Sequence, residues 1–267
     1  GFLLKLRMPR LTPSVKRLFA LGAPGFISAG AVQINLIIGT NIASQEPGAV
    51  SWLMNADQLY QLPLAVIGIA LGIVLLPMLS ERVKAGDEKG AARALNRSLE
   101  LSALLVIPAS AAFLIMSEPI CDALFRGIAA DALSAFGVKR SAFTPHDVAM
   151  TGAALAIFGA GLPAFVWHKI FSPAFFARED TKTPMNYALT SIAVNAVMSL
   201  SLFPIFGFLA VAVATVFAAW LQVGLLVWRL SRLGLFKPGG RLFSRLGRIL
   251  AASAGMTAFL WWALAQS

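Results

Sequence analysis

Asp57, Gln58 and Gln61 stand at the head of a long apolar stretch, SWLMNADQLYQLPLAVIGIALGIVLLPMLS (51–80), in which about 17 residues after Pro63 carry no charge. Roughly 20 apolar residues span the hydrocarbon core of a bilayer. A carboxylate beside amides at the mouth of such a segment is costly unless it faces protein or a water-filled cavity. Two chemistries are open to it: the polar wall of a cavity that passes an anionic headgroup, or a helix-start cap at the outer interface, where Asp suits the helix dipole. Lys169, beside His168, is the one basic residue inside an apolar run. It could hold an anionic headgroup, or its stem could snorkel to the interface. Gln33 and Asn35, with Asn41, Asn186 and Asn195, could line a polar path or bond between helices as packing amides.

Other chemistry finds little support. A cation site would want a carboxylate among oxygen ligands, and the runs holding Gln33, Asn35 and Asn195 contain none, so neither a metal nor a cofactor is expected. The two histidines, His146 and His168, lie in different regions, and Glu179 and Asp180 are adjacent, so a helix would point them apart. No HExxH, GxxxxGK[ST] or GxSxG pattern occurs. Nothing suggests an enzyme.

The elements that must position these residues are membrane helices. The chain is 58% hydrophobic and only 13% charged, with a mean hydropathy of +0.77, against about 25% charge in soluble domains. Spans are expected at about 18–43, 62–80, 99–117, 148–173, 185–202, 208–230 and 249–264. A basic segment (1–17) precedes them, a charged connector (81–97) follows the second, and a basic connector (231–248) precedes the last. A short apolar helix is expected at Ile120–Phe125, and Pro63 and Pro108 are candidate kinks. The stretch Arg178–Thr183 reads as a solvated connector or, alternatively, a gating contact. Small-residue stripes (Gly22, Gly25, Ala29 and Ala210, Ala214, Ala218) suit close helix packing. Trp228, Trp261 and Trp262 suit interfacial belts.

With the N-terminus placed inside, the inside segments hold 18 of the 22 Lys and Arg residues, the bias that sets topology. The net charge of +10 then faces anionic lipid. No nucleic-acid-reading motif accompanies it. Cys121, the single cysteine, cannot form an intrachain disulfide. Gly1 is not a start methionine, and GFLLKL leads into basic residues rather than a cleavage site, so no signal peptide is expected.

Two runs carry a resemblance: LGAPGFISAGAVQINLIIGTNIAS with SWLMNADQLYQLPLAVIGIALGIVLLPMLS, and FSPAFFAREDTKTP at 171–184. They are similar to the seventh and eighth helices of the MurJ (MviN) lipid II flippases and to the connector into the eleventh. The resemblance covers nearly the whole chain, with 127–143 the main divergence. It implies an all-α polytopic bundle of about seven spans: a six-helix C-terminal lobe (18–230), a connector (231–248) and a seventh span (249–267). The first lobe and the final helix of a fourteen-helix flippase would be missing. It also implies a multi-pass protein of the bacterial inner membrane, N-terminus cytoplasmic, with lipid II, membrane lipids and the missing N-terminal lobe as partners. Alternating access would move the undecaprenyl-pyrophosphate-linked headgroup outward. Where the family pattern ADRL has arginine this chain has Gln58, which offers only neutral donors. An exporter of other lipid-linked oligosaccharides or drugs, or a non-transporting membrane scaffold, is the alternative.

Overall fold

Within hydrocarbon every backbone amide must find its partner inside the protein, so uncharged runs of this length fold as helices. The computed structural model describes residues 13–128, 143–236 and 240–264. Seven long helices appear among the described residues: α1 (Pro13–Ala43), α2 (Ala49–Lys84), α3 (Glu88–Asp122), α4 (Pro145–Phe176), α5 (Lys182–Phe206), α6 (Leu209–Arg232) and α7 (Gly240–Leu264). A π-helical turn, Ala123–Ile128, continues α3. Six of these are long and apolar enough to cross a membrane, so the chain is a multi-pass membrane protein. The seventh, α7, is not among the six; its apolar stretch starts only after Arg241, Arg245 and Arg248.

The helices run well past the apolar spans. Residues 51–61 are the opening turns of α2 and not an approach to it, with Gly48 as the residue before the helix. The charged connector 81–97 is largely helical as well, because Arg, Lys, Glu and Ala are good helix formers. It folds around a tight corner where Asp87 accepts from the Gly90 amide at 2.8 Å and pairs with Arg82 at 3.2 Å. The non-helical residue in α3 is Met116 (φ −105°, ψ 16°), ahead of Pro119 rather than at Pro108. A proline ring crowds the carbonyl four residues back, which here belongs to Ile115. Most of the divergent segment 127–143 lies outside the described residues, as do the side chains of Trp261 and Trp262.

Successive helices alternate in direction, which gathers their ends into two faces. On one face α2 is clamped by the starts of α4 and α6. The Trp52 indole donates to the Asp147 carboxylate at 2.7 Å, and its ring meets His146 and Phe208. Thr144 and Asp147 form a reciprocal capping box around Pro145. Glu46, in the α1–α2 turn, accepts from the Phe208 amide at 3.1 Å. On the opposite face Arg178, at the end of α4, pairs with Glu88 at the start of α3 and donates to the Ala174 carbonyl. Arg178 is therefore a structural tie between helix ends, while Asp180 accepts from the Thr183 amide at 3.0 Å at the start of α5.

Helix α4 is the axis of the bundle, packed by α2, α3 and α6 and buried along much of its length. Its approach to α3 needs the absence of a side chain at Gly159: a Cβ there would lie 2.7 Å from Phe113 Cβ. The freed space lets the Ser110 hydroxyl donate to the Gly159 carbonyl at 2.6 Å. The stripe Ala210, Ala214 and Ala218 is buried in α6. At Gly25, one residue of the stripe expected on α1, nothing lies within 4 Å of a Cβ among the described residues.

Candidate functional site

Five helices surround some of the polar residues singled out in the sequence. Two adjoining clefts of about 310 and 290 Å³ lie among α1, α2, α4, α5 and α6. They share Val32, Asn35, Asn195 and Thr215, so they form one channel with a common middle. Asp57 lines one end, and Lys169 with His168 lines the other. Asp57 lies eight residues into α2, which rules out a role as the helix cap. Gly68 marks the height of Lys169 on the same helix, roughly 16 Å further along at 1.5 Å per residue. A carboxylate and an ammonium therefore stand at opposite ends of a path walled by amides, hydroxyls and aliphatic groups.

Each charge is held by local geometry. Asp57 and Gln61 share a helix face four residues apart, and the Gln61 amide donates to the Asp57 carboxylate. The ring of Tyr60, on the same helix, lies against Phe158 and Phe165. Lys169 lies across Gly68: a Cβ there would be 2.7 Å from Lys169 Cδ and 3.3 Å from its Cε. The glycine on α2 thus leaves a slot for the lysine stem of α4. Beside it, His168 Nε2 lies 3.1 Å from both Ser172 Oγ and Gln222 Nε2, bridging α4 to α6.

The middle of the channel is neutral. The Asn195 amide donates to Thr215 Oγ1 at 3.1 Å, and that hydroxyl donates to the Val211 carbonyl at 2.7 Å. Asn35 Oδ1 is buried with no hydrogen-bond partner among the described residues. A buried acceptor left unpaired costs about 1–3 kcal/mol, so a passing donor would be welcome there.

The structure brings Asp57, Asn35 and Lys169 to one channel, with Gln61 reaching it through Asp57. Gln33 and Gln58 are exposed and line neither cleft. Asn41 and Asn186 also lie outside it. The channel adds Ser191, Thr215 and Gln222, which the sequence did not single out. Gln222 was the available signal, an amide within the otherwise apolar interior of α6. No group of three or more His, Cys, Asp or Glu residues suited to a metal occurs among the described residues.

A family profile described as "Lipid II flippase MurJ" matches residues 1–267. The chain is 45% identical over 261 residues to "Probable lipid II flippase MurJ" of Rhizobium meliloti (strain 1021), covering 98% of this chain and 46% of that protein. It is 31% identical over 251 residues to "Lipid II flippase MurJ" of Burkholderia cenocepacia, covering 94% of this chain and 46% of the relative. The chain thus spans about half the length of the curated relatives it matches. Among solved structures it superposes on "Lipid II flippase MurJ, inward closed conformation" with a TM-score of 0.73 at 23% identity, covering 95% of this chain and 50% of the other. An outward-facing multidrug resistance MATE family transporter of the MOP superfamily gives 0.67 at 17% identity, with 91% and 52% covered. At these identities the two structures speak for the fold alone.

Proposed function

The chain belongs to the lipid II flippase MurJ family, and from that membership we propose that it supplies one half of the wall along which lipid II crosses the bacterial inner membrane. The observation that carries the proposal is the channel with Lys169 at one end, Asp57 at the other and neutral donors and acceptors between. Such a path fits a large polar headgroup bearing an anionic pyrophosphate, which cannot enter hydrocarbon unaided.

In this reading Lys169 attracts the pyrophosphate as it enters from the cytoplasmic side. Asn195, Thr215 and Gln222 offer hydrogen bonds to sugar and peptide groups, none strong enough to trap the cargo. Asp57, at the outer end, repels the same phosphates and favours release. The prenyl tail stays in lipid throughout. No bond is made or broken, so the chain acts as a transporter and not as a catalyst. Access alternates as this half rocks against the other half of the transporter.

The orientation follows from charge. The ends of α2, α4 and α6 and the starts of α3, α5 and α7 share the face that carries most of the Lys and Arg residues, and that face is placed in the cytoplasm. Likeness to a multidrug transporter is confined to the fold, so export of drugs stays the second reading.

Photocrosslinking tests the path. A benzophenone amino acid is placed at Ile192, in the cleft, or at Val197, which is 64% exposed on the outside of α5. Crosslinks to lipid II at Ile192 well above those at Val197 are expected. Equal labelling at both would remove the channel from the transport path.

A further inference from the structure

A second amphipathic site lies on the other side of the bundle, at the seam of α3 and α7. Arg93, Arg97 and Glu100 follow one face of α3 at helical spacing, and Arg245 and Arg248 follow one face of α7. These residues border two adjoining notches of about 650 and 270 Å³. Glu100 is satisfied by Arg245. Arg93, Arg97 and Arg248 have no carboxylate partner among the described residues. Three guanidinium groups without an acidic partner among the described residues therefore border the two notches.

Below the arginines the same seam turns apolar. Leu101 and Leu104 border it from α3 and Ile249 from α7. Leu101 and Leu104 are more than half exposed. Both helices start on the same face, so on each the charged turn comes first and the apolar turns lie deeper in the membrane. Charge at one end and greasy wall at the other describe a molecule with an anionic head and a hydrocarbon tail. Guanidinium forks suit phosphate oxygens, and basic pockets between membrane helices take anionic lipid headgroups. A nucleic acid or an acidic peptide would leave the leucine wall unused.

We propose that this seam is a binding site for a resident anionic glycerophospholipid of the cytoplasmic leaflet, its headgroup lying between Arg93 and Arg97 of α3 and Arg248 of α7 and one acyl chain laid along Leu101, Leu104 and Ile249. The site shares no residue with the channel, so it is separate from the cargo path. Helix α7 packs on α3, and a lipid bridging them would fasten α7 to the bundle.

The test is native mass spectrometry of the chain released from nanodiscs of phosphatidylcholine containing a minority of phosphatidylglycerol. Retention of phosphatidylglycerol in preference to phosphatidylcholine is expected. R93Q/R97Q/R248Q should weaken that retention by roughly fivefold per arginine removed. K84Q/R229Q/R232Q, which removes the same charge elsewhere on the same face, should leave it unchanged. Leu104→Ser keeps every charge and should also weaken it, which preserves the test should the arginine variant misfold. Equal losses in the two charge variants, equal retention of phosphatidylcholine, or full retention by Leu104→Ser would each overturn the proposal. So would displacement of the lipid by inorganic phosphate at comparable concentration.

Discussion

Lys169 shows how one side chain depends on a neighbour that has none. Its stem occupies the slot left by Gly68, and its charge reaches the channel. Lys169→Gln keeps length and polarity but removes the charge. Hydrogen bonds to charged groups are worth about 1.5–3 kcal/mol, so lipid II affinity should fall roughly ten- to hundredfold, measured by titration in detergent. Gly68→Ala asks the same question indirectly. The added methyl would sit 2.7 Å from Lys169 Cδ, and a flexible stem can swing aside. Thermal stability should hold while affinity drops toward that of Lys169→Gln. An unchanged affinity would mean that Lys169 does not act from this slot. Of the residues in the channel, Lys169 and Asp57 were legible as charges out of place in apolar runs. Thr215 and Gln222 were not, because an isolated hydroxyl or amide in a membrane helix usually serves packing. Gln58 and Gln33 share the chemistry of Gln61 and Asn35 but stand outside the cleft, which residue type cannot reveal.

Helix ends and helix contacts were legible to different degrees. Hydropathy marked the apolar stretch of six helices but not where each helix stops, since charged and amide residues continue a helix as readily as they leave it. That is why 51–61 read as an approach and Asp57 as a possible cap. Capping chemistry places the real starts, as at Thr144 and Asp87. Thr144→Ala should cost about 1 kcal/mol from the lost cap, read as a lower unfolding midpoint in detergent. Trp52→Phe keeps the ring against His146 and Phe208 but loses the bond to Asp147, and a comparable loss is expected. Close approach between helices is the part hidden from sequence. Gly159 has no local signature, yet it sets the distance between α3 and α4. Gly159→Val should destabilise by about 1–3 kcal/mol through overpacking against Phe113. Adding Phe113→Gly, which removes the Cβ that the new side chain would meet, should cost less than the two single changes summed, whereas simple additivity would argue that the two helices do not meet there.

At the scale of the molecule, charge counts and helix alternation agree on two faces. The inside assignment is checked with single cysteines in a Cys121→Ala background. A membrane-impermeant thiol reagent applied to intact spheroplasts should label Ser44→Cys, in the α1–α2 turn, and spare Ala85→Cys, in the α2–α3 corner, until the membrane is opened. Labelling in the reverse order would invert the topology. Membrane helices and their order were readable because hydrocarbon imposes one simple rule on every span. The channel was not, because it arises where five separated helices converge. The role in moving lipid II proposed for it is tested most directly in cells depleted of their own lipid II flippase. They would express this chain together with the remaining portion of a close relative. Growth should be restored by the unaltered chain and lost with Asp57→Asn/Lys169→Gln inserted at equal level. Growth sustained by that double variant would contradict a cargo path through the channel.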